Sequence, residues 1–319
     1  MALKDYGITE RHEVTFSQNV AQEAQQRQPR FDGTYNVDVP SGALRLVSVS
    51  KRRKMTILTT RVGETPITPQ QWIRRGLVAQ SAADGDLYDL KDDTLKTRML
   101  APQSDMVRNT ISAGNRYVDY RFLRGLLGPT LEQVGPEVTD LAPQTLPSEQ
   151  VIPSDLDGTP GTATDLTLAK LIALRIQLGF TDDDEVVASG AKLYLAHTQS
   201  QLFNLLDNVR QVADSRYADV KALVDGKINY FMGFHWISSE QLNLFADTNG
   251  LVPTVGWAQS AIHGGKVYDG VEVNQRPDRT NAMQVLNRVS AGFVRVQDSL
   301  VSVTYNQQTL EAPASSFIP

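Results

Sequence analysis

Two kinds of side chain in this sequence could bind a metal ion, but neither occurs at a metal-binding spacing. Imidazole nitrogens are common ligands, yet the four histidines are scattered along the chain: His12, His197, His235 and His263. Four adjacent carboxylates at 182–185 could hold a divalent cation, although such a run is more often a solvated turn. The segment 155–158 begins like a calcium loop, but Leu166 stands where the twelfth, acidic ligand belongs. We therefore predict no metal site and no cofactor.

The patterns of common catalytic sites are also absent from the sequence. It contains no Gly-x-Ser-x-Gly nucleophile, no Walker loop, no His-Glu-x-x-His motif and no dinucleotide-binding glycine triplet. Gly264-Gly265 lacks the strand–glycine–helix context that cradles a phosphate. The absence of cysteine excludes disulfides and thiolate metal sites. We predict no catalytic residues and no enzyme; an enzyme with an α/β lobe is an alternative from a different function class.

Charge is the chemical feature that the sequence concentrates in one place. Between residues 42 and 75 the only acid is Glu64, against eight basic residues: Arg45, Lys51, Arg52, Arg53, Lys54, Arg61, Arg74 and Arg75. An acidic stretch follows, with Asp84, Asp86, Asp89, Asp92 and Asp93. A basic segment followed by an acidic one can pair with other copies of the same chain. The cluster at 51–54 could instead bind nucleic acid, but it lacks interleaved aromatic residues and the net charge is -5.

The basic residues lie on a predicted two-stranded ribbon. Residues 43–50 alternate apolar and polar side chains, as a half-buried strand does. A second strand is predicted over Met55–Val62 and a third over Trp72–Gln80, around a turn-rich tip at 63–69. Together these segments form one long two-stranded ribbon that closes on itself. A two-stranded ribbon is marginally stable alone, so it should lie on another surface, in this chain or in a neighbour. Residues 1–42 are predicted to form an extended arm whose order also comes from packing on something else.

A long helix is predicted over Ala101–Leu127. Pro102 suits a first turn, and Gly128-Pro129 stops the helix. Apolar residues and one glycine recur at steps of three and four along it: Val107, Ile111, Gly114, Val118, Phe122 and Leu126. A helix with one narrow apolar stripe needs a sheet or another long element against it.

The remainder predicts a mixed α/β lobe. Helices are expected over Leu168–Leu178, 200–208 and 211–225, the second with a capping box formed by Thr198 and Gln201. Residues 263–265 are predicted to be a glycine-rich loop. Strands are expected at Lys192–Ala196, Ile228–Phe231, Phe234–Ser238, Val271–Val273, Ala291–Val296 and Leu300–Tyr305. No apolar run approaches the length of a membrane span, so we expect no membrane partner.

The order of these parts resembles that of tailed-phage major capsid proteins with the Hong Kong 97-like fold. An Asp-x-Leu-Lys segment, Asp93–Lys96, introduces the long helix, as it does in that family. The strongest further match is the Gly-x-Ile, Gly-Phe and Ser series between Gly226 and Ser239. Weaker matches are Gln144–Ile152, Lys192–Leu195, Ala291–Arg295 and Val301–Val303. The likeness extends from about residue 14 to residue 309 and lies in the shared order more than in any single motif.

The resemblance implies an α+β fold with the parts of a capsid subunit. These would be an N-terminal arm (1–42), an extended β-ribbon loop (43–82), a peripheral domain (83–180) with the spine helix 101–127, an axial domain (181–285), and return strands with a C-terminal tail (286–319). Hexamers and pentamers of the chain would form an icosahedral shell in the virion, assembled in the host cytoplasm. Its partners would be copies of itself, a portal, a separate scaffolding protein, an optional cement protein, and double-stranded DNA bound without sequence specificity.

In such a shell the ribbon would lie over a neighbouring subunit. The predicted contact residues are then Arg45, Lys51, Arg52, Arg53, Lys54, Arg61, Trp72, Arg74, Arg75, Asp84, Asp86 and Asp89. An encapsulin-type shell that encloses cargo enzymes resembles the same fold and is the main alternative. A nucleic-acid-binding protein that uses the basic ribbon is a third.

Overall fold

The computed structural model describes most of the chain. The described residues are 26–39, 44–51, 53, 67, 69–88, 102–137, 139–179, 191–211, 229–279 and 282–308. Within them the fold is mixed α and β, with three sheets. The predicted strand at 55–62 and the predicted helix at 211–225 lie outside these residues, apart from Gln211, which ends the preceding helix.

Fourteen strands lie within the described residues. They are β1 Asn36–Val37, β2 Arg45–Ser50, β3 Trp72–Leu77, β4 Gln80–Tyr88, β5 Thr130–Gln133, β6 Leu141–Gln144, β7 Val151–Ile152, β8 Leu193–His197, β9 Tyr230–Phe231, β10 Phe234–Ser238, β11 Val252–Ala258, β12 Ile262–Arg276, β13 Ala282–Arg295 and β14 Val301–Asn306. Three α-helices accompany them: α1 Pro102–Leu127, α2 Leu168–Gly179 and α3 Gln199–Gln211. Among these helices none has the length and apolar character that crossing a bilayer requires.

The strands form three sheets. The ribbon sheet has the order β2-β3-β5-β6, the β4 sheet has the order β1-β12-β13-β4, and a six-stranded sheet has the order β7-β14-β11-β8-β10-β9. The chain also divides into two compact units. Unit 1 contains 1–29, 81–117 and 268–290, and unit 2 contains 30–80, 118–267 and 291–319. The predicted domain boundaries stay a prediction.

Helix α1 confirms the predicted spine helix to within one residue at its start. It begins at Pro102 and ends at Leu127, where the Gly128 N–H donates to the Arg124 carbonyl at 2.9 Å. Its glycines allow close packing within each unit. In unit 1, a Cβ on Gly114 would lie 2.8 Å from Asn287 Nδ2, and in unit 2 a Cβ on Gly125 would lie 2.6 Å from the Phe293 carbonyl oxygen. The sequence predicted that a sheet or another long element packs against the apolar stripe of this helix. Strand β13 of the β4 sheet is that element.

Aromatic rings form the centre of unit 2. Phe31 stacks on Phe122 with ring centroids 4.7 Å apart, and Phe122 lies 5.5 Å from both Trp257 and Phe293. The Trp257 indole N–H donates to the Thr34 carbonyl at 3.1 Å, so the buried ring keeps its hydrogen bond. Phe31 and Thr34 belong to the predicted arm, whose described part, 26–39, therefore packs on its own chain.

A buried carboxylate holds the same segment of the arm. Asp119 of α1 is 1% exposed, and its Oδ1 and Oδ2 each accept from the Arg30 backbone N–H at 3.0 Å. The Arg30 guanidinium donates to the Ser238 carbonyl at the end of β10. Strand β1 then pairs in parallel with β12, Asn36 opposite His263. Residues 30–37 thus connect α1, β10 and β12 within unit 2.

Most of the predicted elements are confirmed, although the predicted strand 291–296 is only the last part of β13, which begins at Ala282, and α3 ends three residues after the predicted helix end. The strands near 43–50, 192–196, 234–238, 291–296 and 300–305 and the helices at 168–178 and 200–208 are all present. The capping box is formed: Gln201 Oε1 accepts from the Thr198 N–H at 3.0 Å, and Thr198 Oγ1 accepts from the Gln201 N–H at 3.3 Å. Gly233 turns β9 into β10 with a φ of 83°, a conformation that glycine adopts at low cost.

Two predictions about local structure are wrong. Residues 263–265 are not a loop but part of β12, where a Cβ on Gly264 would collide with the Gly292 carbonyl oxygen. Gly264 thus permits two strands to approach closely. The single strand predicted over 72–80 is two strands. β3 ends at Leu77, and β4 begins at Gln80 and continues through the acidic residues Asp84 and Asp86 to Tyr88.

Lys170 is a fully buried cation between α2 and the end of β14. Its Nζ donates to the Thr164 carbonyl at 2.8 Å and to Asn306 Oδ1 at 2.9 Å. Burial lowers the pKa of Lys170 to about 8, although the negative charges of Asp165, Asp155 and Asp157 oppose that shift. The folded state therefore holds this proton less tightly than the unfolded chain does.

This difference predicts a rise in stability with pH that Lys170 causes. Between about pH 8 and the ordinary lysine pKa, the unfolded chain binds more protons than the folded one, so the free energy of unfolding increases, by about 3 kcal/mol at most. Urea unfolding across this range should show the rise in the wild type and a smaller rise in Lys170→Met. Lys192→Met, which removes an exposed lysine, should leave it unchanged. An equal rise in all three proteins would contradict the assignment.

Candidate functional site

The ribbon sheet has one face against its own chain. β2 and β3 pair antiparallel with Val47 opposite Arg75 and Arg45 opposite Leu77, and opposed residues share a face. On this inner face Val47 and Leu77 pack with Val294 and Val296 in one buried cluster. β3 also pairs with β5. The base of the predicted ribbon therefore lies on a surface of its own chain, one of the two locations that the sequence allowed.

The other face of the ribbon sheet is open to solvent in the isolated subunit. Ser48 and Ser50 of β2 and Arg74 of β3 are exposed, and Trp72 opposite Ser50 is 55% exposed. Among the described residues, the Arg74 guanidinium donates one long hydrogen bond, 3.4 Å, to Gln133 Oε1. A tryptophan so exposed on a strand is typical of a surface that another molecule covers.

Seven of the other predicted contact residues fall into three groups. Lys51 and Arg53 are exposed just beyond β2. Arg45 is also exposed, but it binds within the subunit, to Asp38 Oδ1 at 2.7 Å and to the Val39 carbonyl at 2.8 Å. Outside the described residues lie Arg52, Lys54, Arg61 and Asp89. The structure thus places Trp72 and Arg74 together on the open face, with Lys51 and Arg53 at the end of the neighbouring strand.

The acidic predicted residues lie in unit 1. Asp84 and Asp86 are both exposed on β4, two residues apart on one face of the strand. Asp86 Oδ1 accepts from the Leu87 backbone N–H at 2.9 Å. Leu87 is itself 45% exposed. The other acidic run, 182–185, is outside the described residues, and among the described residues no three histidine or carboxylate side chains converge as a metal site would require.

Arg75 corrects the sequence prediction, because its side chain is 2% exposed and cannot contact a neighbour. Its Nη1 donates to Asp298 Oδ1 at 2.7 Å and to the Arg295 carbonyl at 2.8 Å. Its Nη2 contacts Asp298 Oδ2 and, at 3.3 Å, Glu132 Oε2. The guanidinium is held by carboxylates of its own chain, and it attaches the base of the ribbon to β5 and to the turn after β13.

A second buried arginine shares the same carboxylate. Arg295 is 0% exposed; its Nε donates to Asp298 Oδ1, and its Nη1 donates to the Leu126 carbonyl at the end of α1 at 2.6 Å. Burial alone would raise the pKa of Asp298, but hydrogen bonds from Arg75 and Arg295 outweigh it and hold that pKa below its ordinary value. We call Arg75, Arg295, Asp298 and Glu132 the buried ion cluster.

Sequence reasoning missed this cluster. The available signal was Arg295 itself, a charged residue that ends the apolar strand segment Ala291–Val294 and precedes Asp298 by three residues. That spacing allows a local ion pair. It does not indicate that Arg75 joins the pair.

The cluster predicts a large loss of stability when its shared carboxylate is neutralised. Asp298→Asn leaves two buried guanidinium groups without their common anion, and breaking a buried pair in this way costs about 3–5 kcal/mol. Glu132→Gln should cost less than about 1 kcal/mol, because Glu132 is 28% exposed and makes one 3.3 Å contact. Urea unfolding of the purified subunits measures both values. Equal losses would contradict the central role of Asp298.

Comparisons with known proteins address the whole chain. A family model described as "Phage capsid protein" matches residues 8–306. A search of curated proteins finds no match. Among solved structures, the capsid of Ralstonia phage GP4 superposes with a TM-score of 0.66 at 10% identity, covering 93% of this chain and 95% of that one.

Two further structures give the same picture. The cyanophage Pam1 capsid has a TM-score of 0.64 at 12% identity and covers 92% of this chain and 96% of that one. A structure of Mycobacterium phage Che8 has a TM-score of 0.62 at 15% identity, with coverages of 90% and 94%. Identities this low carry information on the fold alone, and on that point the predicted α+β capsid fold is confirmed.

Proposed function

The chain belongs to the phage capsid protein family, and from this premise we propose that its copies assemble as hexamers and pentamers into an icosahedral shell around double-stranded DNA. The protein is a structural subunit of a phage capsid, as the sequence predicted. The observation that carries the proposal is the family match over residues 8–306. The match does not favour the encapsulin-type alternative or an enzyme.

The shell requires partners that we include in the proposal. A portal, a separate scaffolding protein and, in some shells, a cement protein would join the subunit during assembly in the host cytoplasm. DNA would be enclosed without sequence-specific contacts, which suits a chain of net charge -5 better than a tight nucleic-acid binder. Within the subunit, we propose the arm, ribbon, peripheral, axial and return segments at the boundaries predicted from the sequence.

Electron microscopy of the expressed full chain tests the shell proposal directly. Negative staining should reveal closed shells, or rings of five and six subunits, because the open face of the ribbon sheet is covered only when copies meet. A uniform preparation of monomers that remains monomeric at high concentration would contradict it. Particles that enclose proteins and exclude DNA during infection would favour the encapsulin alternative.

We further propose that the basic ribbon contacts an acidic surface of an adjacent copy. The acidic partner is the segment 84–93 or the run 182–185. Lys51, Arg53, Trp72 and Arg74 support this proposal, since all four are exposed and three are cationic. Exposed ion pairs contribute only about 0.2–1 kcal/mol each, so the charges would select the register while apolar burial supplies the stability.

Reversal of two ribbon charges should impair assembly. In Arg52→Glu, Arg53→Glu the cations that meet the acidic surface become anions, and the yield of complete shells, measured by sedimentation and microscopy, should fall severalfold. The matched control is Lys192→Glu, Arg279→Glu, which makes the same charge change at exposed positions outside the ribbon. Shells of normal size and yield from the ribbon variant would refute the contact.

A further inference from the structure

Among the residues that the structure describes, two sheet edges carry opposite charge. β2 is the last strand of the ribbon sheet, and β4 is the last strand of the β4 sheet. A strand at the edge of a sheet presents unpaired backbone N–H and C=O groups, which can accept a strand from another chain. Cations follow β2 at Lys51 and Arg53, and β4 contains the carboxylates Asp84 and Asp86.

The hydrogen bonds of β2 identify which of its backbone groups face outward. The Lys51 N–H donates to the Gln71 carbonyl at 2.8 Å, so this residue belongs to a hydrogen-bonded pair with the adjoining strand segment. Such pairs alternate along an antiparallel ladder. Ser50 and Ser48 therefore direct their N–H and C=O groups away from β3, toward the open edge.

Contacts between β4 and β13 give the same information for β4. A Cβ on Gly85 would lie 3.2 Å from the Val285 carbonyl oxygen, so this carbonyl of β13 points toward β4. The Ser81 and Ser290 hydroxyls lie 3.1 Å apart, so odd-numbered residues of β4 oppose even-numbered residues of β13, and Val285 forms its hydrogen-bonded pair with Asp84 or Asp86. The Leu87 N–H donates to Asp86 Oδ1 at 2.9 Å. Because backbone groups alternate in direction along a strand, the groups of Gly85 face the open edge together with those of Leu87. Pairing with a new strand would free the Asp86 carboxylate for another cation.

The charges then select a register. Lys51 and Arg53 are two residues apart, and so are Asp84 and Asp86, so both cations can oppose both carboxylates on one face of an antiparallel pair. Only one register does this: Lys51 opposite Asp86 and Arg53 opposite Asp84. The same register places Ser50 opposite Leu87, the two residues whose backbone groups already face outward.

We propose that β2 of one copy adds to the edge of β4 of a second copy as an antiparallel strand in this register. The proposal rests on the proposed function, because it needs copies that meet in a shell. The pairing joins the ribbon sheet of one subunit to the β4 sheet of another.

Apolar burial supports the same register. Trp72 is paired with Ser50 inside the ribbon sheet and is 55% exposed. Leu87, 45% exposed, would flank Ser50 on its other side and on the same face. Since serine is small, the indole can extend across it toward the leucine, and two exposed apolar side chains become covered together.

Engineered cysteines test the register, and the chain contains no cysteine of its own. In Ser50→Cys, Leu87→Cys the opposed Cα atoms would lie about 5.5 Å apart, within the roughly 4.4–6.8 Å range of disulfides. Mild oxidation of assembled shells should link subunits into covalent chains on non-reducing gels. Ser48→Cys, Leu87→Cys, offset by two residues and about 7–8 Å apart, should link far less. Shells in which the first pair forms no link, or no more than the offset pair, overturn the proposal.

A charge exchange provides an independent test that introduces no cysteine. Lys51→Asp, Arg53→Asp should lose most shells, and so should Asp84→Lys, Asp86→Lys. All four substitutions together should restore assembly, since opposite charges again face each other. Failure of the fourfold variant to recover shells, when circular dichroism shows it folded, overturns the pairing. A wild-type chain that forms no shells overturns the proposed function instead.

Discussion

The buried ion cluster is the constraint on which the position of the ribbon depends. Asp298 accepts from both Arg75 and Arg295, and Arg295 also satisfies the Leu126 carbonyl at the end of α1. The base of the ribbon, the turn after β13 and the end of the long helix thus meet at one carboxylate. Because two guanidinium groups lose their water here, they need this anion in place, and each of the three segments is held in one arrangement.

A rigid base has consequences for the rest of the ribbon sheet. The inner face is filled by Val47 and Leu77 with residues of β13 and its continuation. Within the described residues, the outer face of the ribbon sheet and the edge of β2 are the parts left open. Trp72 lies on that face with more than half of its surface in solvent. In the isolated subunit this exposure is unfavourable. In a shell, copies of the same chain can cover it, which links local sequence to assembly.

Local sequence signals predicted the elements that local interactions determine. Pro102 and Gly128 delimited α1, and Thr198 with Gln201 marked the start of α3, because caps and stops act within a few residues. The order of elements then indicated the capsid fold. For the candidate surface, Trp72, Arg74, Lys51 and Arg53 were predicted to contact a neighbouring subunit; the structure exposes all four, and the contact itself stays a prediction.

Features that depend on distant residues could not be predicted. Arg74 and Arg75 are adjacent, so their sequence neighbours are nearly the same. Arg75 is nevertheless buried, because its guanidinium binds the carboxylate of Asp298, 223 residues further along the chain. Gly264 was predicted to lie in a loop. A glycine is required there because β12 and β13 pack closely, with the Gly292 carbonyl oxygen where a Cβ would be, and the sequence does not reveal that contact. Phe31 likewise enters the aromatic core of unit 2 through contacts with α1 and β11.

The central claim is that the open edge of β2 is completed only by a second copy. Hydrogen exchange with single-residue resolution measures the protection of individual amides of β2. It can be carried out on isolated subunits and on assembled shells. The account predicts that the Ser48 and Ser50 amides exchange quickly in the subunit and become protected in the shell, while the Lys51 amide, bonded to Gln71, is protected in both. Rapid exchange of Ser48 and Ser50 in intact shells would contradict it.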